Sequence, residues 1–299
     1  MTDDRPTPRI PSRTIHPVRE RLVRDGFFIL AAAFVGLRLA GVQPWDRSID
    51  AYAYWSTRSG DLYPAANVGV LGAYLYSPAF AQLISPLTAL PWNVFLAIWT
   101  TINIAAYRIL AGPRALLWLL FLPFALDIVT GNIHLLFALA IVVGFSYPAA
   151  WALILLTKVT PGIGLVWFAV RREWRALAVA LAATAAIAAV SWVLAPTAWS
   201  EWLRSLAANQ GGPESTPGWY LPVPLALRLV GAVVLVAWGG LTDRRWTVPV
   251  AVTLALPVVW LNGLAVLAAV IPLSGASRAR WPTLPRWRAS SVASESVGR

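Results

Sequence analysis

Apolar and polar positions in this chain fall into long blocks rather than into an amphipathic rhythm. Apolar runs occupy 27–42, 92–110, 115–129, 176–194 and 221–239, and most of the charge lies between them. An apolar stretch of about 20 residues crosses the hydrocarbon core of a bilayer. Runs this long and this uniformly apolar have no face to turn toward water, so lipid must cover them. The pattern predicts an all-α fold, a polytopic transmembrane helical bundle.

The block boundaries give a first topology. A helix over 26–43 is followed by a loop over 44–76. Residues 77–89 are too short to span and stop before Pro91, which predicts a juxtamembrane or re-entrant helix. Spans follow over 92–110, 115–130, 132–146, 148–158, 161–170, 175–195, 219–240, 247–258 and 260–273. With the first helix this makes about ten spans. Residues 1–25 and 274–299 are rich in Pro, Ser and Arg and lack periodicity, so they are expected to be disordered tails around a single transmembrane domain over 26–273. No internal repeat is visible. Arg-rich polar sequence precedes the first apolar run and no A-x-A-like site follows it, so that run is read as a retained helix rather than a secretory signal.

Charge orients the bundle. Basic clusters at 5–24, at Arg108 and Arg114, at 171–175, at Arg244 and Arg245, and at 278–288 belong in the cytoplasm by the positive-inside rule. Both termini are then cytoplasmic. Merging 148–170 into one span would put 171–175 on the wrong side, so a break at Pro161 is kept. Asp46, Asp50 and Asp61 in one loop, and Glu201 and Glu214 in another, then face outward. Hydrophobic residues make up 58% of the chain and charged ones 12%, against about 25% charged in soluble domains. The net charge of +11 therefore reads as Arg meeting anionic membrane lipids, not nucleic acid. The 17 Trp suit interfacial belts. With no cysteine, disulfides, thiolate metal sites and palmitoylation are excluded.

Ionisable groups inside such runs are costly and are site candidates by default. Lys158, the sole lysine, lies in Leu155-Leu156-Thr157-Lys158-Val159-Thr160-Pro161, Arg228 lies in the 219–240 span, and Asp127 precedes Thr130-Gly131-Asn132-Ile133-His134. Each has two readings. Lys158 either snorkels to the interface or binds an anion. Arg228 either pairs with Asp127 or joins Lys158 on a phosphate, and His134 is either a satisfied interior donor or part of the same site. Together, Lys158, Arg228, Asn132 and His134 suit an anionic headgroup, because Arg grips phosphate bidentately and Lys meets it as a point charge. The outward loop adds carboxylates. A carboxylate just past a helix end can take a proton from a sugar hydroxyl. Asp46 is expected to pair with Arg47, and Asp61 to cap its turn.

Three segments resemble glycosyltransferase family 87, bacterial membrane mannosyltransferases of the C-type glycosyltransferase superfamily. They are Asp50-x3-Tyr54 with Gly60-Asp61-Leu62-Tyr63; Tyr74-Leu75-Tyr76-Ser77-Pro78-Ala79-Phe80-Ala81 with Ser85-Pro86-Leu87 and Leu90-Pro91; and Gly131-Asn132 with Lys158-x2-Pro161 and Arg171-Arg172-Glu173-Trp174-Arg175. The resemblance covers roughly 25–205, weakens beyond, and has Asn132 where the family commonly has Gln. It implies a C-type glycosyltransferase-like helical bundle with an outward active site and Asp50 as catalytic base. It also implies a polyprenyl-phosphate-mannose donor and a glycolipid or glycan acceptor. Such inverting enzymes generally use no metal or other cofactor, and the chain has no HExxH or DxD in its outward loops and two His. Tyr54, Tyr63, Tyr76 and Asp127 are expected to bind substrate. A transporter or flippase of lipid-linked sugars, and a non-catalytic family member with a shortened C-terminal half, are the competing readings. Convergence of Asp50, Lys158 and Arg228 on one cavity separates enzyme from transporter.

Overall fold

A computed structural model describes residues 17–64, 70, 72–208 and 221–275. The rest of the two tails expected to be disordered lies outside these residues. Helix α1 (Pro17–Leu39) begins well upstream of the apolar run, with Pro17 and Glu20 in its first turn, where a missing N–H and a negative charge are both favourable. The segment after α1 holds a short α2 (Ile49–Trp55) that runs into a 3₁₀ turn, Ser56–Ser59. Then come α3 (Pro78–Thr88), α4 (Trp92–Ala111), α5 (Ala115–Trp118), α6 (Leu122–Thr130), α7 (His134–Gly144), α8 (Trp151–Thr157) and α9 (Val166–Val170). The chain continues through α10 (Trp174–Leu194), α11 (Pro196–Ala208), α12 (Leu225–Leu241), α13 (Thr247–Leu254), a 3₁₀ helix Leu261–Ala269 and α14 (Val270–Leu273). The described residues are all-helical and contain no strand.

Proline sets several of the starts. It occupies the cap or first turn of α3, α4, α6 and α12 and of the 3₁₀ segments Pro148–Ala150 and Thr160–Leu165. There its missing N–H leaves no helix bond unmade. The expected spans are therefore cut finer than the hydropathy blocks. Among the described residues two helices are long and apolar enough to cross a membrane, Trp92–Trp118 and Trp174–Leu194. A third crossing is available if α6 and α7, which bend by 110° at a short break, count as one broken span. The helix at 77–89 and the break at Pro161 both appear, as α3 and as the gap between α8 and the 3₁₀ turn at Thr160.

The core is assembled from α4, α7, α13 and the Leu261–Ala269 helix. Phe95, Leu96, Leu135, Phe137, Ile141, Val248, Val252, Ala265 and Val266 have no exposed surface there. Small residues permit close helix crossings, as they do in membrane bundles generally. At Gly239 a Cβ atom would lie 1.8 Å from Thr247 Oγ1, so α12 packs on α13 only with glycine there. Helix α10 is peripheral: only 11% of its apolar window is buried, and Val190, Val193 and Leu194 face outward.

Arg228 holds the C-terminal half together. Its Nε donates to Val223 O (2.8 Å), Nη1 to Leu254 O (2.7 Å) and Leu256 O (2.6 Å), and Nη2 to Pro257 O (2.8 Å). These carbonyls end α13 and precede α12, where no helix partner exists. Arg228→Leu should lower the thermal midpoint of the purified protein by the equivalent of about 2 kcal/mol or more, the scale of charged hydrogen bonds lost from buried carbonyls. A wild-type melting curve would show that the carbonyls find other partners.

Candidate active site

The site is built on the break between α6 and α7. Helix α6 ends on Gly131 in the left-handed region (φ +70°), with the Gly131 and Asn132 amides both donating to Asp127 O. Glycine is required twice over here. The backbone conformation disfavours a side chain, and a Cβ would lie 2.7 Å from Ala51 Cβ and 2.8 Å from Ser48 Oγ. The first turn of α2 thus rests directly on the Gly131 turn. Ser48 Oγ (2.8 Å) and Arg38 Nη2 (2.6 Å) donate to Val129 O, and Trp99 Nε1 donates to Gly131 O (2.7 Å), clamping the turn from three sides.

Asp50 is carried by that first turn of α2. Asn262 Nδ2 donates to its Oδ2 (3.3 Å) and to Thr130 Oγ1 (3.2 Å). The side chains of Thr130 and Asn132 also hydrogen-bond to the carboxylate. Asn132 is held for this by its Oδ1, which accepts from the Ile133 amide (2.7 Å) and from Tyr54 Oη (3.4 Å). Burial pushes the Asp50 carboxyl above its ordinary range, and the hydrogen bonds from Thr130, Asn132 and Asn262 together with the Lys158 charge oppose that rise. The residue as a whole keeps some exposed surface, while its carboxylate is packed among these partners.

Opposite lies a second, buried line of groups. Lys158 Nζ is 2.9 Å from His134 Nε2, and His134 Nδ1 is 2.9 Å from Asp127 Oδ1. An ammonium has no lone pair, so Nε2 must accept and the imidazole proton sits on Nδ1, donated to Asp127. The Leu135 amide donates to the other Asp127 oxygen (3.0 Å). Lys158 itself ends α8, its ammonium 5.6 Å from the centre of the Tyr76 ring and 5.8 Å from that of Phe137. Its ammonium makes no further hydrogen bond among the described residues, which leaves donors for an anion.

The expected residues thus divide. Asp50 and Lys158 come together, and Asn132 and His134 come with them. Asn132 hydrogen-bonds to Asp50 through its side chain, and His134 turns its acceptor on Lys158. Asp127 has no exposed surface and holds His134. Tyr54 and Tyr76 are buried, linked hydroxyl to hydroxyl at 3.1 Å, and Tyr63 donates to Tyr76 O (2.7 Å), so these rings form the wall behind the site. Arg228 is not part of the cluster: its guanidinium is taken up by the carbonyls described above. Asp46 accepts from Gln43 Nε2 (3.3 Å) and forms no pair with Arg47 among the described residues, while Asp61 Oδ1 accepts from the Tyr63 amide (3.3 Å) in a turn. Trp199 and Trp202 are buried and donate to Ser191 Oγ (3.0 Å) and Leu75 O (3.3 Å).

Two contributors escaped the sequence reading. Asn262 is the lone polar side chain in the apolar run 260–273, and Arg38 lies inside the first apolar run; each carried the same signal as Lys158. Arg38 is fully buried, its guanidinium 4.6 Å from the centre of the Phe34 ring. Among the described residues no three His, Asp or Glu side chains cluster to hold a metal ion.

The arrangement pairs a carboxylate with a pinned cation, which suits deprotonating a hydroxyl beside an anion. If Asp50 acts as that base, activity falls as pH drops through its raised pKa, because only the ionised form accepts a proton. Asn262→Leu removes a bond that favours the ionised form. The acid limb of the kcat/KM profile should therefore move to higher pH, and an unmoved limb would mean that another group titrates there.

A family model for glycosyltransferase family 87 matches residues 74–294. The match takes in the helix at 78, the Gly131 turn, Lys158 and also the C-terminal half, where resemblance was expected to fade; Asp50 lies ahead of it. No curated protein and no solved structure matches the chain significantly. With most of its length matched and its described residues folded as apolar helices, the chain belongs to glycosyltransferase family 87, and it is a membrane glycosyltransferase.

Proposed function

We propose that this glycosyltransferase moves mannose, or a related sugar, from a polyprenyl-phosphate donor to an extracytoplasmic glycolipid or glycan, with inversion and without a metal. The observation that carries the reading is the convergence of a carboxylate, Asp50, with a buried-relay ammonium, Lys158, at the broken helix ends. In the reaction the acceptor oxygen gives its proton to Asp50 and attacks the anomeric carbon. The bond from that carbon to the phosphate oxygen breaks, and its electron pair leaves with the polyprenyl phosphate. Lys158 meets the charge that develops there, an interaction that strengthens in the transition state. Asp127 and His134 keep Lys158 aimed, and Asn132, Thr130 and Asn262 keep Asp50 aimed.

The membrane setting belongs to the same proposal. The domain over 26–273 crosses about ten times, with several short or broken crossings and both tails cytoplasmic, so that the loop carrying Asp50 faces outward. A flippase of lipid-linked sugars needs no general base; the pairing of Asp50 with Lys158 and the glycosyltransferase family match support transfer chemistry, although Arg228 does not join them, so the enzyme reading is preferred.

The decisive experiment incubates membranes containing the protein with labelled polyprenyl-phosphate-mannose and identifies the glycolipid product. Asp50→Asn keeps size and hydrogen bonding but takes no proton, and it should lower turnover by roughly 10²–10⁴-fold. Asp46→Asn and Asp61→Asn should stay active. Near wild-type turnover in Asp50→Asn with a dead Asp61→Asn moves the base to Asp61. Lys158→Ala should raise the donor KM about tenfold or more, the scale of one charge-assisted contact. An unchanged KM at normal expression leaves Lys158 a structural cation.

A further inference from the structure

A chain of buried groups runs between Asp50 and Lys158, and Tyr76 stands at its centre. Its hydroxyl is 3.1 Å from that of Tyr54, and Tyr54 Oη is 3.4 Å from Asn132 Oδ1. Its ring centre is 5.6 Å from the Lys158 ammonium, close enough for the π face to hold a cation. Both tyrosines are buried.

The Tyr76 ring has little freedom. Tyr54, Tyr74 and Phe80 pack on it with ring centres 5.5, 5.7 and 5.6 Å away. The backbone around it is tied down as well. Tyr63 Oη donates to Tyr76 O (2.7 Å), Tyr74 Oη donates to Ser77 O (2.9 Å), and Ser77 Oγ donates to Leu156 O in the last turn of α8, which Lys158 caps. The segment ahead of α3 thus bridges the end of α8 and Tyr54 on α2.

Proton count fixes the direction of the chain. Asn132 Oδ1 accepts from the Ile133 amide (2.7 Å), so it is the carbonyl oxygen of the side chain and carries no proton. Tyr54 must therefore donate to it. A hydroxyl has one proton, so the contact between the two tyrosines is made by the Tyr76 proton. The sense is then Tyr76 to Tyr54 to Asn132. With its oxygen taken by two donors, Asn132 meets the Asp50 carboxylate through Nδ2, its donating end. Hydrogen bonds in a chain polarise one another, so each hydroxyl upstream strengthens that last donor.

We infer that Tyr76 is a positioning residue that joins the two ends of the site: its hydroxyl acts on Asp50 through Tyr54 and Asn132, and its ring acts on Lys158. The inference rests on the reading of Asp50 as the base and of Lys158 as the donor's cation. The charged and titratable groups that face Asp50 are Lys158 from α8, Asp127 from α6, Tyr54 from α2 and Tyr76 from the segment ahead of α3. Replacing tyrosine by phenylalanine alters no charge among them near neutral pH.

The test uses the full chain and three readouts: the acid limb of kcat/KM, the donor KM, and infrared titration of the Asp50 carboxyl band, identified by its loss in Asp50→Asn. The infrared readout needs no turnover. Weakening a donor that favours the ionised carboxylate moves its titration to higher pH. Tyr54→Phe should move the band and the limb up by roughly 0.3 pH unit, the size of a cooperative gain of about 10–30% on one charge-assisted bond. Tyr76→Phe should move them the same way and no further. The double variant should move them no further than Tyr54→Phe alone, because the two hydroxyls act in series. Tyr76→Phe keeps the ring, so the donor KM should stay unchanged. Tyr76→Leu removes the ring and should raise the donor KM about threefold, the scale of one cation–π contact, but not in a Lys158→Ala background. An infrared midpoint unmoved in both phenylalanine variants, additive shifts in the double variant, or a donor KM raised as much by Tyr76→Phe as by Tyr76→Leu each overturns the inference. A band that moves while the acid limb stays put supports the chain and overturns Asp50 as the base.

Discussion

The left-handed turn at Gly131 is the constraint on which the rest of the site depends. It ends α6, redirects the chain by 110° into α7, and leaves no room for a side chain under Ala51 and Ser48. Because α2 can then sit on bare backbone, Asp50 comes within reach of Thr130 and Asn132 on one side of the turn and of Asn262 from the far end of the chain. The clamps from Arg38, Ser48 and Trp99 all close on the carbonyls of Val129 and Gly131, the last ones of α6 and the turn, which have no helix partner. A backbone left unsatisfied by the break is thereby turned into the anchor for three other segments.

The same break organises the charged groups. Asp127 sits in the last turns of α6 and His134 begins α7, so the bend brings them face to face across a few residues. Neither is favourable singly in an apolar interior, since a buried charge such as Asp127 or a buried polar group such as the neutral His134 ring costs free energy without a partner. Linked to each other and to Lys158, they leave one ammonium with free donors at the end of α8. Asp50 faces that ammonium from the loop. The outcome is a site in which each ionisable group is held by a partner from another element, and in which the order of helices matters more than the length of any one of them.

That consideration also explains why the bundle is so finely cut. Irregular backbone at membrane depth is tolerated where it is buried in protein or lines a polar cavity. The breaks at Gly131, Pro161 and Leu256 to Pro257 meet this condition through Asp50's network, the end of α8 and the Arg228 guanidinium respectively. Helix α10, which carries no such break, is exposed along most of its length.

The hydrophobic blocks by themselves determined that this is an apolar helical protein, that α3 and the Pro161 break exist, and that Asn132, His134 and Lys158 are residues to examine; Asp50 was singled out among the loop carboxylates only by resemblance to the family. These are local properties: a run's apolarity, a proline's missing N–H and the cost of a charge in an apolar stretch are legible without knowing what packs where. Tertiary structure decided the roles. Arg228 and Lys158 carry the same signal in the sequence, yet four carbonyls at the end of α13 and before α12 take up one guanidinium, while a histidine leaves the other cation free. Asn262 and Arg38 were equally visible as polar residues in apolar runs, but only the fold brings Asn262 across 212 positions of sequence to Asp50. A polar group inside a membrane protein must find a partner, and the sequence states that need; which partner it finds depends on distances that exist only once the helices are packed.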